Sequence, residues 1–145
     1  MIFLFFNTMK FEYLEDVATA DIAFRARGKN LNELFENCAL ATTDTMVDTK
    51  TVKPKVTKTI TLEHNDLEQL LFLFLSEITY FKDAELLFFS KFKVNIDGNK
   101  LKAKMYGEKF NNKVIFRNDV KAITMHMLKV EKKKENYYAT VVLDI

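Results

Sequence analysis

The chain ends in the seven residues Ala139-Thr140-Val141-Val142-Leu143-Asp144-Ile145, which form an apolar, β-branched run instead of a polar tail. This composition predicts a sheet strand, and a strand would hold a terminus that otherwise frays. The free carboxylate of Ile145 is therefore expected to be fixed beside the Asp144 side chain. Two like charges about 4 Å apart repel by about 4 kcal/mol at an effective dielectric constant of about 20. Either a divalent cation bound by oxygen ligands removes that cost, or both carboxylates face water or a lysine.

The preceding residues supply a partner for this last strand. Val120–Val130 predict a strand, a charged turn follows at 131–136, and Tyr137–Ile145 folds back as the second half of a hairpin. This pairing would bring the Lys121–Thr124 end of one strand close to the last two residues of the chain. His126 lies on the same hairpin, either as a hydrogen-bonded sheet residue or as a general base.

Strand and helix patterns also account for the rest of the chain. The predicted elements are strands at 11–14 and 22–27, a helix from the capping box at 30–33 to about 45, a strand at 51–63, a helix at 67–81 capped by Asn65-Asp66, and a hairpin of 86–96 and 100–106 around Asp97-Gly98-Asn99. Pro54 and neighbouring lysines indicate that the third strand is at an edge. We therefore expect an α+β fold, with a mostly antiparallel sheet and two helices packed on one side in a single domain.

Alternating lysines are expected to decorate one outer face of the central hairpin. They are Lys91, Lys93, Lys100, Lys102 and Lys104. A solvated face is the default interpretation, and contact with RNA phosphates or an acidic partner is the alternative. Because no aromatic-interleaved stacking motif accompanies them, any contact with RNA is expected to be indirect or weak.

Composition excludes several classes of protein. With 145 residues and 48% apolar content the chain suits one compact domain, and 22 Lys+Arg against 20 Asp+Glu give no bulk case for a nucleic-acid coat. The single Cys38, expected in the core, excludes an internal disulfide and suits a reducing cytosol. His64 and His126 lack metal-ligand spacing, which argues against zinc. Three glycines cannot form a phosphate-cradling loop of the P-loop or dinucleotide type.

The opening Met1–Phe6 is apolar, but it lacks a basic lead-in and is shorter than a secretory core. We interpret residues 1–10 as a short extension, with an upstream start ahead of Met9 as one explanation, and residues 11–145 as the domain. No run approaches the roughly 20 apolar residues of a membrane span, so we expect a cytoplasmic protein with no membrane contact.

Several motifs together resemble the archease family from about Phe11 to the end of the chain. They are Ala18-Thr19-Ala20-Asp21, Gly28, Leu31-Asn32-Glu33-Leu34-Phe35, Asp44-Thr45-Met46, Leu86-Leu87-Phe88, Gly107-Glu108, Val120-Lys121-Ala122-Ile123-Thr124-Met125-His126 and Val142-Leu143-Asp144-Ile145. The motifs at the two ends, in this order and closing on Asp-Ile, are the specific ones. Any one of these motifs alone would be weak evidence for the family.

The resemblance implies a non-catalytic protein cofactor of RtcB-type RNA ligases, which join tRNA halves in tRNA splicing. Archeases promote guanylylation of the ligase and its multiple turnover, and can broaden its nucleotide use. The family also binds a divalent cation, which by resemblance would be held here by Asp21, Asp144 and Ile145. Calcium is the expected ion, with magnesium and manganese as alternatives.

Three further residues are candidates for contact with the ligase or with a nucleotide: Lys121, Thr124 and His126. Lys121 could instead be the basic partner of the acidic cluster. One departure from the family is Ala18, which stands where archeases commonly have histidine, and Ala23 replaces a usual glycine. The carboxylates carry over, whereas a role that depends on that histidine does not.

Two other functions compete with this interpretation. The first is a small metal-dependent hydrolase with Asp21 and Asp144 as ligands and His126 as base, although no nucleophile motif accompanies them. The second is a chaperone or RNA-binding adaptor that uses the lysine-rich hairpin.

Overall fold

The computed structural model describes residues 9–15 and 19–145, and it forms an α+β fold as predicted. The expectations for Met1–Phe6 and for Ala18 lie outside the described residues. The elements are β1 (Phe11–Leu14), β2 (Asp21–Gly28), α1 (Leu31–Met46), a 3₁₀ turn (Thr49–Thr51), β3 (Val56–Glu63), α2 (Leu67–Glu85), β4 (Leu87–Asp97), β5 (Lys100–Lys109), β6 (Ala122–Lys133) and β7 (Asn136–Asp144).

The strands are divided between two antiparallel sheets. The four-stranded sheet has the order β1-β2-β7-β6, and the three-stranded sheet has the order β3-β5-β4. Helix α1 packs against β2 of one sheet and β4 of the other, while α2 contacts β6, β4 and β3. The two helices therefore join the sheets, and β3 is an edge strand, as Pro54 just before it and the neighbouring lysines indicated.

Helix α1 begins where the sequence predicted. The Asn30 side chain accepts a hydrogen bond of 2.9 Å from the backbone N–H of Glu33, which satisfies one free amide of the first turn. Cys38 on the apolar stripe is fully buried, and burial raises the pKa of its thiol. The prediction of a core thiol is confirmed.

Helix α2 is tied to the start of β6 by a buried lysine. Lys82, in the last turn, is 4% exposed. Its Nζ lies 2.6 Å from Asp119 and 2.6 Å from Asp83, and donates at 2.7 Å to the carbonyl oxygen of Val120. Burial opposes the charged form, but hydrogen bonds and charge from the two aspartates outweigh it, so the pKa of Lys82 is raised. This contact fixes the chain immediately before Lys121.

Several boundaries differ from the prediction, since α2 extends to Glu85 and β5 to Lys109. The strand expected from Thr51 begins at Val56, because the 3₁₀ turn and an irregular segment occupy the residues before it. The predicted strand at 120–130 continues to Lys133, but its register is broken. Thr124 lies opposite Val142 whereas Lys129 lies opposite Thr140, so the residues between them form a bulge. Within the described residues, no helix is long and apolar enough to cross a membrane.

Candidate functional site

Two aspartates from opposite ends of the chain meet on neighbouring strands. In the antiparallel pair of β2 and β7, Asp21 is the direct partner of Asp144. Directly opposite residues carry their side chains on the same face, with Cβ atoms about 4.5–5.5 Å apart. Both aspartates are half-buried. The structure thus brings together the two carboxylates that the sequence analysis singled out.

The end of the chain is held beside this pair. The backbone N–H of Ile145 donates a hydrogen bond of 2.9 Å to the carbonyl oxygen of Ala20. The Ile145 side chain packs against the hydrophobic core, so both its backbone and its side chain are anchored. The terminal carboxylate therefore lies one residue beyond Asp144, at the end of an ordered strand.

Lys121 lies immediately before β6, the strand that pairs with β7. Its backbone N–H donates a hydrogen bond of 2.8 Å to the carbonyl oxygen of Asp144, and its side chain is exposed. Thr124 follows on β6, with a buried hydroxyl oxygen that has no hydrogen-bond partner in the described part of the chain. The hairpin thus places these residues beside the chain end, as the predicted pairing required.

His126 lies in the bulge of β6 and is set apart from the acidic pair. Its side chain is exposed, between Met125 at 44% and Met127 at 61% exposure. Met127 has a positive φ of 60°, which is costly for a residue with a side chain. Within residues 9–15 and 19–145 no hydrogen bond or ion pair orients this exposed imidazole, so the geometry does not favour a general base here.

The donor set fits a hard cation. Asp21, Asp144 and the terminal carboxylate of Ile145 offer only oxygen atoms, as calcium and magnesium prefer. Among residues 9–15 and 19–145 there is no group of three or more His, Cys, Asp or Glu side chains that could hold a metal ion. Side chains alone therefore do not complete a three-carboxylate site within these residues.

An open cleft of about 370 Å³ adjoins Asp21. Tyr13 donates a hydrogen bond of 2.7 Å from its hydroxyl to Asp44, and Arg117 lies 2.9 Å from the other oxygen of that carboxylate. Burial is the main cause that raises the pKa of Tyr13, so the hydroxyl stays protonated. The Asn118 amide donates to the carbonyl oxygen of Thr45 at 3.0 Å. The cleft begins at Asp21 and has a mostly apolar lining that carries these few polar groups.

No local sequence pattern identified this cleft. Asp44 belongs to the Asp44-Thr45-Met46 motif, but Tyr13 and Arg117 carry no local signal. They reach Asp44 from segments 31 and 73 residues away in the chain. Only a long-range contact map could have joined them.

The model of the Archease protein family matches residues 11–145. A protein named archease from Sulfurisphaera tokodaii is 45% identical over 139 residues, covering 94% of this chain and 99% of the relative. The archease of Sulfolobus acidocaldarius is 41% identical over 139 residues, with the same coverage of 94% and 99%.

Two solved structures share the architecture. Protein 1598 of Methanobacterium thermoautotrophicum, solved in solution, superposes with a TM-score of 0.83 at 35% identity and covers 94% of this chain and 99% of its own. A Thermotoga maritima crystal structure, described as an archease and possible chaperone, has a TM-score of 0.65 at 21% identity, with 91% and 97% covered. The second likeness concerns the fold alone.

Proposed function

The chain belongs to the archease family, and on that premise we propose that it activates an RtcB-type tRNA-splicing RNA ligase by direct contact. It catalyses no reaction itself, but promotes guanylylation of the ligase and so its multiple turnover. The observation that supports this role is the direct pairing of Asp21 with Asp144 beside the anchored Ile145. This pair and the last residue of the chain lie at one end of the four-stranded sheet, and an open cleft adjoins Asp21.

In this proposal a divalent cation, calcium in the first instance, is held by Asp21, Asp144 and the Ile145 carboxylate. When bound, the ion neutralises these groups and presents positive charge to oxygen atoms of the ligase or its nucleotide. The protein's own contribution is to fix the three carboxylates on paired strands, so that little conformational freedom is lost when the ion binds. Lys121 adds a neighbouring positive charge on an exposed side chain, suited to a phosphate or an acidic group of the partner.

The proposal is tested by ligation under single- and multiple-turnover conditions, with a cognate ligase and spliceable RNA halves. The wild-type protein is expected to increase multiple turnover, and Asp21→Ala and Asp144→Ala to remove most of that increase. Glu135→Ala is the matched control, because it removes the same charge from an exposed turn far along the hairpin. If both aspartate variants stimulated the ligase as well as the control does, the acidic pair would not be the working part.

The proposed role of the Ile145 carboxylate as a metal ligand is tested separately, by moving that carboxylate. A short peptide extension after Ile145 displaces the free carboxylate and should weaken calcium binding in a calorimetric titration. An extension of the same length before Met1 is the control. Equal calcium affinity in the two extended proteins would remove the chain terminus from the ligand set.

Absence of intrinsic catalysis is tested with the purified protein alone. Phosphoesters and RNA, with and without added calcium, magnesium or manganese, are expected to remain intact. Robust hydrolysis that His126→Ala abolishes would instead establish the metal-dependent hydrolase.

A further inference from the structure

The outer face of the three-stranded sheet carries an uninterrupted set of polar side chains. Alternate residues of β4 and β5 point away from the helices, while Val94, Leu101, Ala103 and Met105 between them are buried. All five lysines that the sequence placed on this face are exposed. No element of the described chain packs over them, so the face is open to a partner.

Charge on this face is unevenly distributed. At the hairpin end, Lys100 lies opposite Asp97 on one side and Glu63 on the other, so it has acidic neighbours. Further along, Lys93 lies directly opposite Lys104, a like-charged pairing that costs stability.

We define the lysine patch as four side chains of this face: Lys91, Lys93, Lys102 and Lys104. Within the described ranges no ion pair joins any of them to a carboxylate. The patch is therefore a local excess of positive charge on a chain whose net charge is only +2.

Most neighbours of the lysine patch are small hydrogen-bonding residues, and the exception is Tyr106 opposite Lys91. Thr59 is opposite Lys104, while Thr61 and Asn95 flank Lys102 on its two sides. Residues two apart on a strand are spaced by about 6.8 Å and neighbouring strands by about 4.8 Å, so the Cα atoms that carry the lysines are regularly spaced. A protein interface has an apolar, aromatic core with few charges, and a membrane-binding face has apolar residues to insert. The composition of this face fits neither.

From this geometry we propose that the lysine patch binds the phosphate backbone of RNA. Lysine acts as a point charge toward phosphate, and the threonine hydroxyls can donate hydrogen bonds to phosphate oxygens. Tyr106 is the one aromatic side chain among the outward residues of β5, and the Lys91 ammonium lies 5.3 Å from its ring centroid. A single ring does not form a stacking platform, so the site reads charge and not base sequence. The inference goes beyond the proposed function, since RNA contact by this face requires no ligase.

The test measures RNA binding by the full chain in the absence of ligase. A fluorescein-labelled single-stranded RNA of about 20 nucleotides is titrated by anisotropy at several salt concentrations between about 25 and 200 mM KCl. The test variant is Lys93→Gln/Lys102→Gln/Lys104→Gln. The matched control, Lys129→Gln/Lys132→Gln/Lys133→Gln, removes the same charge from exposed positions of β6 in the other sheet.

The wild-type protein is expected to bind RNA with an affinity that falls steeply as salt rises. Each phosphate contact on a single strand contributes about −0.7 to the slope of log K against log salt, so the test variant should lose about 2 units of slope. Its affinity at the lowest salt should fall roughly tenfold or more, while the control stays within about twofold of wild type. Removing the Lys93–Lys104 repulsion should leave the test variant at least as stable, which thermal unfolding verifies.

Three results would overturn the inference. These are no RNA binding by wild type at the lowest salt, equal losses in the two triple variants, or tighter binding of polyglutamate of matched charge than of the RNA. The last would identify the lysine patch as a docking surface for an acidic protein. None of these results bears on ligase stimulation, which is measured separately with the aspartate variants.

Discussion

The Glu36 carboxylate on α1 accepts a hydrogen bond of 2.8 Å from the backbone N–H of Val94 on β4. Among the described strands β4 is at the edge of its sheet, and this amide faces the side away from β5. The other sheet repeats the arrangement, because Glu68 of α2 accepts from the backbone N–H of Val130 on edge strand β6, also at 2.8 Å. A helix carboxylate thereby satisfies one edge amide in each sheet, which makes pairing of that edge with another chain less favourable.

The Glu36 contact makes stability depend on pH in a defined direction. Burial raises the pKa of Glu36, and although the hydrogen bond from Val94 opposes this, the net shift is upward from 4.5. A carboxyl with a higher pKa in the folded state contributes stability that is fully present below its unfolded pKa and is lost as pH rises through its folded pKa.

We compare the free energies of unfolding of wild type and Glu36→Gln and take wild type minus variant. This difference is expected to decrease as the pH rises from about 3.5 to 7. Urea unfolding of both proteins at each pH measures the difference, and the subtraction cancels the titration of the other carboxyls. A difference that grows with pH would mean that the ionised form is the one the fold prefers.

Gly107 permits a close approach of two strands. A Cβ added there would lie 1.9 Å from the carbonyl oxygen of Phe88, next to the irregularity in β4 between Phe89 and Lys91. Because the obstacle is backbone, it cannot rotate away. Gly107→Ala is therefore expected to lower the free energy of unfolding by about 3 kcal/mol or more. In the control Gly98→Ala, the Cβ meets nothing within 4 Å and only the φ of +61° is strained, for about 1–2 kcal/mol. Equal losses in urea unfolding would contradict the backbone clash.

The stability of Asp144→Asn distinguishes two effects of the Asp144 charge, which are repulsion by Asp21 without a cation and attraction to a bound cation. Like charges directly opposite on paired strands are destabilising, so in EDTA the variant should unfold with a free energy up to about 1 kcal/mol higher than wild type. With calcium at about 100 times its Kd, wild type gains about 2.7 kcal/mol by mass action and the order reverses. Thermal unfolding in the two buffers makes the comparison, with Glu135→Gln as charge-matched control. Equal stabilisation of wild type and Asp144→Asn by calcium would place the ion elsewhere.

The sequence predicted the elements of the fold better than their arrangement. Period-2 alternation located β3 and β5, and helical spacing located α1 and α2, because each pattern reports which face of one element is buried. The division into two sheets depends on which strands pair across long stretches of chain, as β3 does with β5 after an intervening helix. Local patterns carry no information on that choice. The bulge at Met125–Leu128 was missed for a related reason, since its residues read as a continuous strand.

The candidate site was predictable to different degrees. The apolar terminus placed Asp144 and Ile145 on a strand, and the hairpin turn placed Lys121 beside them. Their partner Asp21, 123 residues away at the start of β2, was linked to them only through the family resemblance, since no periodicity relates the two ends of the chain. Neither the strand pattern nor the family resemblance predicts the ion pair of Arg117 with Asp44, because it forms between a loop and a helix end.

Leu86, the residue that follows α2, occupies a backbone conformation that suits glycine better than leucine. Leu86 has φ 52° and ψ 34°, the left-handed conformation common just after a helix, and its N–H donates at 3.0 Å to the carbonyl oxygen of Lys82. Its side chain is 59% exposed, so little apolar burial compensates the backbone strain. Leu86→Gly is expected to raise the free energy of unfolding by about 1 kcal/mol, because glycine adopts this conformation without the steric cost of a Cβ.

The matched variant Leu86→Ala isolates the cause of that gain. Alanine removes most of the same side chain but keeps the Cβ that makes the left-handed conformation costly, so Leu86→Ala should be no more stable than wild type. A gain of about 1 kcal/mol corresponds to roughly 3 °C in Tm for a chain of this length, which scanning calorimetry resolves. If alanine stabilised the protein as much as glycine, the benefit would come from removing an exposed apolar side chain, and the strain at Leu86 would not contribute.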